Sequence, residues 1–389
     1  MVTGGLLRAE EEAKKALQPG TVRAVVLAQE QMEKKAYAEA EATLDACRRM
    51  FNSAAGYDRA YLRSIYGYLY LEQQRYDAAL QAFIEAADAG ELSGKAVLSI
   101  LYNIVQLQIM QHRYEAAEKR MRQWMALSKR LRSKDYMLLA HIEIELHRYD
   151  DAAEAVNRAI ALAPEPKRMQ YQTLYYLQYE QHRYGEAAGT LKKMITLFPA
   201  QKEDYLQLSG VLLQDDNPDA ALAVLELAKL QGFLQTKEEL LRLAKLYLYA
   251  GIPLRAAKLL AAEANTEQVS ADGTWYMLEA RAWQQAREEG RALEAFNAAA
   301  EKGEKDAYVS MAYLYAERRN LDGVIDTVEK ALASGTDRPD ELRLLEGRAL
   351  FDKGQYLLAK NVFDGVSSKG KHAKEARQWI DYIQNHASK

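Results

Sequence analysis

Polar turn phrases and alanine-rich apolar stretches alternate along this chain with a fixed period. Five segments carry one phrase, Gln74-Arg75-Tyr76-Asp77-Ala78-Ala79, His112-Arg113-Tyr114, His147-Arg148-Tyr149, His182-Arg183-Tyr184 and Gly354-Gln355-Tyr356, and each leads into such a stretch. With the tyrosine as anchor, equivalent positions fall at Tyr37, Tyr76, Tyr114, Tyr149, Tyr184, Pro218, Pro253, Ala292, Leu321 and Tyr356. Their spacing averages about 35 residues, room for two short helices and their turns. Three residues past the anchor stand Ala40, Ala79, Ala117, Ala152, Ala187, Ala221, Ala256, Ala295, Val324 and Ala359. Ten and nine residues before it come pairs such as Leu27-Ala28, Tyr66-Gly67, Leu139-Ala140, Leu208-Ser209, Leu243-Ala244, Met311-Ala312 and Glu346-Gly347. The pair is usually a large apolar residue and then a small one, and the small one is what two closely packed antiparallel helices require, because one must yield space to the other's ridge.

Proline placement agrees with the helix pairs, since proline in a helix interior removes a hydrogen bond and clashes with the preceding turn. Pro19, Pro164, Pro166, Pro199 and Pro339 fall between repeats, while Pro218 and Pro253 occupy the anchor, at the first turn of a second helix where a missing N–H costs little. The repeats cover residues 21–366, after a lead segment of residues 1–20. Residues 371–386 form a final amphipathic helix with Ala376, Trp379, Ile380 and Ile383 on one face, a C-terminal cap. Between residues 263 and 292 the spacing lengthens and then shortens, which predicts an irregular helix pair.

The period, the alanine and the prolines fifteen residues past their anchors resemble the tetratricopeptide repeat. That resemblance implies an all-α solenoid, a right-handed superhelix of about ten helix pairs plus the capping helix, with a concave surface for partners.

The chain has 389 residues, 52 Lys+Arg against 55 Asp+Glu, and 49% apolar residues, which excludes a disordered or polyanion-coating protein. Cys47 is the only cysteine, so no disulfide framework or Cys-rich zinc site is possible, and both cytoplasm and periplasm are compatible. No apolar run reaches membrane-spanning length, and Glu10, Glu11 and Glu12 interrupt the place where an export signal needs apolar residues.

Chemical motifs are few. Gly365-Val366-Ser367-Ser368-Lys369-Gly370-Lys371-His372 approaches the phosphate-loop spacing, but His372 replaces the required hydroxyl and no strand is predicted before it. His112, His147 and His182 recur at 35 residues, a spacing that places them a helix-packing distance apart, too far to share one metal ion. They are expected in the turns between paired helices. No catalytic arrangement, metal site or cofactor fingerprint is recognisable, so the chain is expected to be no enzyme and to bind neither metal nor cofactor.

Two surfaces stand out. Tyrosine is abundant, 25 against 7 Phe. In tetratricopeptide repeats the residue eight before the anchor faces the concave groove, which places Tyr68, Gln106, His141, Tyr176, Gly210, Lys245 and Tyr313 there, with Tyr102, Gln172, Tyr179 and Tyr249 beside them. This polar aromatic lining suits a protein segment. The asparagine with which chaperone-binding repeats clamp a terminal carboxylate is absent there. From residue 119 to 134 the chain carries Lys119, Arg120, Arg122, Lys129, Arg130, Arg132 and Lys134 without an acidic residue. This basic run is a solvated face or, alternatively, a contact for RNA, a lipid surface or an acidic partner.

A narrower resemblance rests on Ala159-Ile160-Ala161-Leu162-Ala163-Pro164-Glu165-Pro166, Leu197-Phe198-Pro199 followed by Asp204-Tyr205-Leu206-Gln207-Leu208, Lys229-Leu230-Gln231-Gly232-Phe233-Leu234, Ile252-Pro253-Leu254-Arg255-Ala256-Ala257 and the ending Ala376-Arg377-Gln378-Trp379-Ile380-Asp381-Tyr382-Ile383. These segments are similar to tetratricopeptide proteins known as putative components of the TonB system of Gram-negative bacteria. The resemblance implies a periplasmic, non-enzymatic accessory of that energy-transducing transport complex, once an export signal has been removed, with TonB-system proteins as partners. A cytoplasmic or envelope-assembly adaptor is the alternative.

Overall fold

The computed structural model describes residues 17–50 and 56–386, and within them 21 helices follow one another without a strand. The first ten are α1 (Pro19–Glu33), α2 (Tyr37–Met50), α3 (Gly56–Glu72), α4 (Tyr76–Asp88), α5 (Gly94–Met110), α6 (Tyr114–Leu127), α7 (Ser133–Glu145), α8 (Tyr149–Leu162), α9 (Arg168–Glu180) and α10 (Tyr184–Leu197). The remainder are α11 (Lys202–Gln214), α12 (Pro218–Leu230), α13 (Lys237–Tyr249), α14 (Pro253–Glu263), α15 (Gly273–Gln285), α16 (Glu289–Glu301), α17 (Asp306–Glu317), α18 (Leu321–Ala333), α19 (Pro339–Asp352), α20 (Tyr356–Asp364) and α21 (Ala373–His386). Odd-numbered helices up to α19 open a pair and even-numbered ones close it. The chain divides into two compact units, Met1–Met194 and Ile195–Lys389, each of which is described by itself. Most of the lead segment, residues 1–16, lies outside the described residues.

One turn recurs in all ten pairs. Two residues before each second helix the backbone enters the left-handed region, at Lys35, Gln74, His112, His147, His182, Asp216, Gly251, Arg287, Arg319 and Gly354. In the fourth pair the His147 amide donates to the Ile144 carbonyl and the Arg148 amide to the Glu143 carbonyl, both at 2.9 Å. These are the two bonds of a Schellman closure, which satisfies carbonyls the helix end would leave open. Arg148 is already the N-cap of α8, so only three residues separate the helices. The repeated histidines therefore occupy these turns, as their spacing predicts.

The same register corrects one assignment made from sequence. The left-handed residue of the eighth pair is Arg287, so the anchor there is Glu289 and not Ala292. Ala292 is instead the alanine three residues past it, fully buried like its equivalents. The spacings around that pair become 36 and 32 residues, and the extra length lies in the connection of residues 264–272, between two regular helices. Pro19 and Pro339, expected between repeats, open α1 and α19 at the tolerant first turn.

Close approach within each pair rests on small side chains. All ten residues three past the anchor are at most 1% exposed, and so are those seven past it, among them Phe83, Phe296 and Phe363. Gly67 and Gly347, nine before their anchors, lie against the rings of Phe83 and Phe363, where a Cβ would collide with ring carbons. At the C-terminus, α21 buries Ala376 and Ile383, and Trp379 stacks on Phe363 with ring centroids 5.7 Å apart. Residues 365–372, which approach the phosphate-loop spacing, are turns joining α20 to α21, and no strand precedes them.

Carboxyl groups interrupt this interior at Glu143, Glu279 and Glu346, each 8% exposed or less. Glu143 accepts from Arg122 Nη2 at 2.8 Å, and Glu279 from Trp283 Nε1 at 3.1 Å. Burial pushes the Glu143 carboxyl up to about 7, with Arg122 and Arg148 opposing and Asp151 and Glu118 adding. Burial likewise raises Glu346 to about 7, reinforced by the charge of Glu329 and opposed by Arg343.

Two outcomes follow from this interior. Gly67→Ala and Gly347→Ala should each lower the unfolding free energy by about 1–3 kcal/mol through overpacking. Gly189→Ala, on α10 with open space around its Cα, should raise it by about 0.5–1 kcal/mol because glycine is a poor helix residue; urea unfolding of the three variants tests the opposite signs. The second outcome concerns pH. A carboxyl whose pKa is higher folded than unfolded contributes stability that is complete below about pH 4.3 and lost as the pH rises towards 7. Between pH 5 and pH 8 the native chain should lose on the order of 2 kcal/mol more stability than Glu346→Gln, and equal losses would refute the buried-acid assignment.

Candidate interaction surface

In the first unit, the positions eight before the anchor lie on the first helix of each pair. Gln106 and His141 are exposed, and Tyr176 is 43% exposed. Tyr68 is half-buried because its ring meets Phe83 edge-on at 5.0 Å. Of the neighbouring positions, Gln172 is exposed, whereas Tyr102 is half-buried against Trp124, with centroids 5.6 Å apart. In the second unit Lys245 is exposed, Tyr249 is 74% exposed, Gly210 lies beside Arg242, and the Tyr313 hydroxyl donates to Glu341.

The densest of these positions is the end of α9. Tyr179, 39% exposed, packs on Tyr175 at 6.1 Å and edge-on to Tyr184 at 5.6 Å. The Tyr184 hydroxyl lies 2.7 Å from His182 Nδ1, and Tyr149 neighbours Tyr176. The left-handed turn makes this possible, because it folds the histidine back over the tyrosine two residues on. His112 with Tyr114 and His147 with Tyr149 repeat the contact at 3.0 and 3.1 Å. Each histidine thus meets the tyrosine of its own turn. Tyr149 and Tyr184 entered the sequence reading only as repeat anchors, although the His-x-Tyr phrase is their signal at this surface, and Tyr175 carried no signal there.

Other tyrosines have a structural task. Tyr70 and Tyr247 donate their hydroxyls to Glu41 and Glu226 at 3.1 and 2.8 Å, reaching the second helix of the preceding pair. Burial and the neighbouring carboxylate together push Tyr247 up to about 12.

The basic run is distributed over α6, the loop after it and the first turn of α7. Arg120 makes two bonds to Asp88, at 2.6 and 2.8 Å. Arg122 bridges Glu118 and Glu143, and Arg132 lies 3.4 Å from Asp135. Three of the seven cations are therefore balanced by carboxylates of the same unit. Lys119, Lys129, Arg130 and Lys134 are exposed and make no ion pair with a described residue. Among the described residues no three His, Cys, Asp or Glu side chains gather as a metal site, and no helix is long and apolar enough to cross a membrane.

The sequence matches no protein-family model and no curated protein. Solved structures resemble the fold. A tetratricopeptide repeat protein from Parabacteroides merdae is similar over 74% of this chain and 94% of its own, at 15% identity and a TM-score of 0.37. YrrB, a TPR protein with an unusual peptide-binding site, is similar over 47% of this chain and 89% of its own, at 11% identity and a TM-score of 0.36. The Naa15/Naa10 complex bound to HypK-THB is similar over 95% of this chain, which spans 65% of the matched chain, at 12% identity and a TM-score of 0.50. Ten helix pairs with one shared turn and one shared alanine position give the chain an all-helical repeat fold of the tetratricopeptide type, and the likeness to the Naa15/Naa10 complex over 95% of the chain agrees with that fold.

Proposed function

We propose that the chain is a non-enzymatic scaffold that holds a segment of a partner protein on the first-helix face around Tyr176 and Tyr179, with His141 and Gln172 as polar neighbours. The observation that carries this reading is the exposure of the two rings one turn apart on α9, with Tyr179 held in place by Tyr175 and Tyr184. Tyrosine offers apolar area and a hydroxyl for main-chain groups with few rotatable bonds. A face whose Tyr179 is already packed against Tyr175 and Tyr184 gives up little freedom on binding.

The finer placement rests on the sequence resemblance of residues 159–260 and of the C-terminal helix to the TonB-system group. On that basis the compartment is the periplasm and the bound segment belongs to a component of the energy-transducing complex. A photo-crosslinking side chain at position 176, introduced in cells, should capture such a component. A reproducible unrelated partner would remove the TonB placement while leaving the scaffold.

Peptides selected from a random library on the native chain should bind at least tenfold more weakly to the double variant Tyr176→Ala, Tyr179→Ala, with the melting temperature lowered by less than about 4 °C. Parallel loss of folding would make the rings core. For the basic run, the pairing of Arg120, Arg122 and Arg132 leaves four cations for an anionic surface. Single-stranded RNA and anionic vesicles should therefore release the chain at about 0.15 M salt; retention there, abolished by charge reversal at Lys119, Lys129, Arg130 and Lys134, would favour a nucleic-acid or lipid contact instead.

A further inference from the structure

The residue ten before the anchor is apolar and buried in most pairs, as at Ile104, Leu139, Leu174, Leu208, Leu243 and Met311. Two pairs place a glutamate there. Glu279 satisfies one oxygen on Trp283 Nε1. Glu346 is 8% exposed and makes no hydrogen bond or ion pair with any described residue.

Glu346 lines a cleft of about 600 Å³ between α18, α19 and α20, wholly inside the second unit. Ile325, Leu350 and Val362 supply apolar walls, and Asp322, Asp326 and Glu329 project one stripe of carboxylates from α18. Two of those are already matched: Asp322 pairs with Lys353, and Asp326 with Lys330 at 2.7 Å. Glu329 makes no ion pair with a described residue, and neither does Glu346. Arg343, the nearest cation of α19, is engaged with Asp340 at 3.4 Å. No charged residue of α20 lines the cleft.

A carboxyl that is 8% exposed, lacks a protein partner and borders an open, partly apolar cleft is poorly solvated in its charged form, so a cation entering from solvent stabilises it. We infer that this cleft receives one alkyl cation, the side chain of a lysine or arginine from a partner polypeptide, with its stem along Ile325, Leu350 and Val362 and its charged head between Glu346 and Glu329. A single head group is specified, because the other carboxylates have their own lysines and leave no second anionic end for a free diamine. A long aliphatic stem with a charged tip suits such a lining. The raised proton affinity of Glu346 fits the same picture, since burial and Glu329 oppose its ionisation and an arriving cation relieves both. Binding at pH 6 should accordingly release a proton, and binding at pH 8.5 should release almost none.

The test uses the full chain and capped pentapeptides Gly-Gly-X-Gly-Gly, with X lysine, arginine or norleucine, alongside 1,5-diaminopentane. Dissociation constants come from saturation-transfer NMR, and proton release from calorimetry in two buffers. The lysine or arginine peptide should bind at least tenfold more tightly than the norleucine peptide. That preference should vanish in Glu346→Leu and weaken in Glu329→Gln. Leucine stands at four buried equivalent positions, Leu139, Leu174, Leu208 and Leu243, so Glu346→Leu should fold with an undiminished melting temperature. Unchanged lysine binding to Glu346→Leu, equal binding of norleucine, or binding of the diamine alone would each overturn the inference.

Discussion

The structure depends on how closely two helices of a pair can approach. The alanine three past the anchor and the small residue nine before it bring backbones together, and the large residue seven past the anchor then fills the remaining space. That geometry tolerates only a short connection. A three-residue turn meets it by placing one residue in the left-handed region, which costs a non-glycine side chain about 1 kcal/mol. Lys35, Gln74, the three histidines, Asp216, Arg287 and Arg319 all accept that cost. The two Schellman bonds and the apolar burial they permit offset it.

Because each pair buries its face only against its neighbours, interactions between pairs are few in kind. Charged side chains reach about one repeat along the chain. Arg75 meets Glu41 at 3.5 Å, Arg183 meets Asp150 at 2.5 Å, and Lys202 meets Glu239 at 2.8 Å. Spatial neighbours are thus some 35 positions apart in sequence. A run of like charges read along the chain therefore overstates the field at the surface, and the residues from Lys119 to Lys134 illustrate it: Asp88 lies a repeat earlier and Glu143 a helix later.

The helix pairs were legible in the sequence because their determinants are local: a turn phrase, an alanine, a small residue and prolines kept to helix ends. The eighth pair misled for a local reason too. Ala292 and Ala295 both occupy the buried face of α16, one turn apart, and the alanine pattern alone allows either to be the position three past the anchor. The backbone at Arg287 decides between them. At the surface, the period placed Gln106, His141 and Tyr176 on first helices but did not distinguish ring from ring. Tyr68 and Tyr102 are held by Phe83 and Trp124 from a following helix, contacts that depend on side-chain size across a pair.

In such a protein, chemistry enters where a side chain departs from its repeat while the backbone keeps to it. A leucine at the position of Glu346 would complete the packing, as it does in the fourth, fifth, sixth and seventh pairs, so the carboxyl there is a departure that close packing does not require. The tyrosines at the end of α9 depart differently: the same turn that returns His182 onto Tyr184 gathers further rings around Tyr179. In both places the fold supplies rigidity without consuming the group. A scaffold assembled from near-identical pairs acquires specificity by this route, since each variant position is carried on a helix that its neighbours already hold.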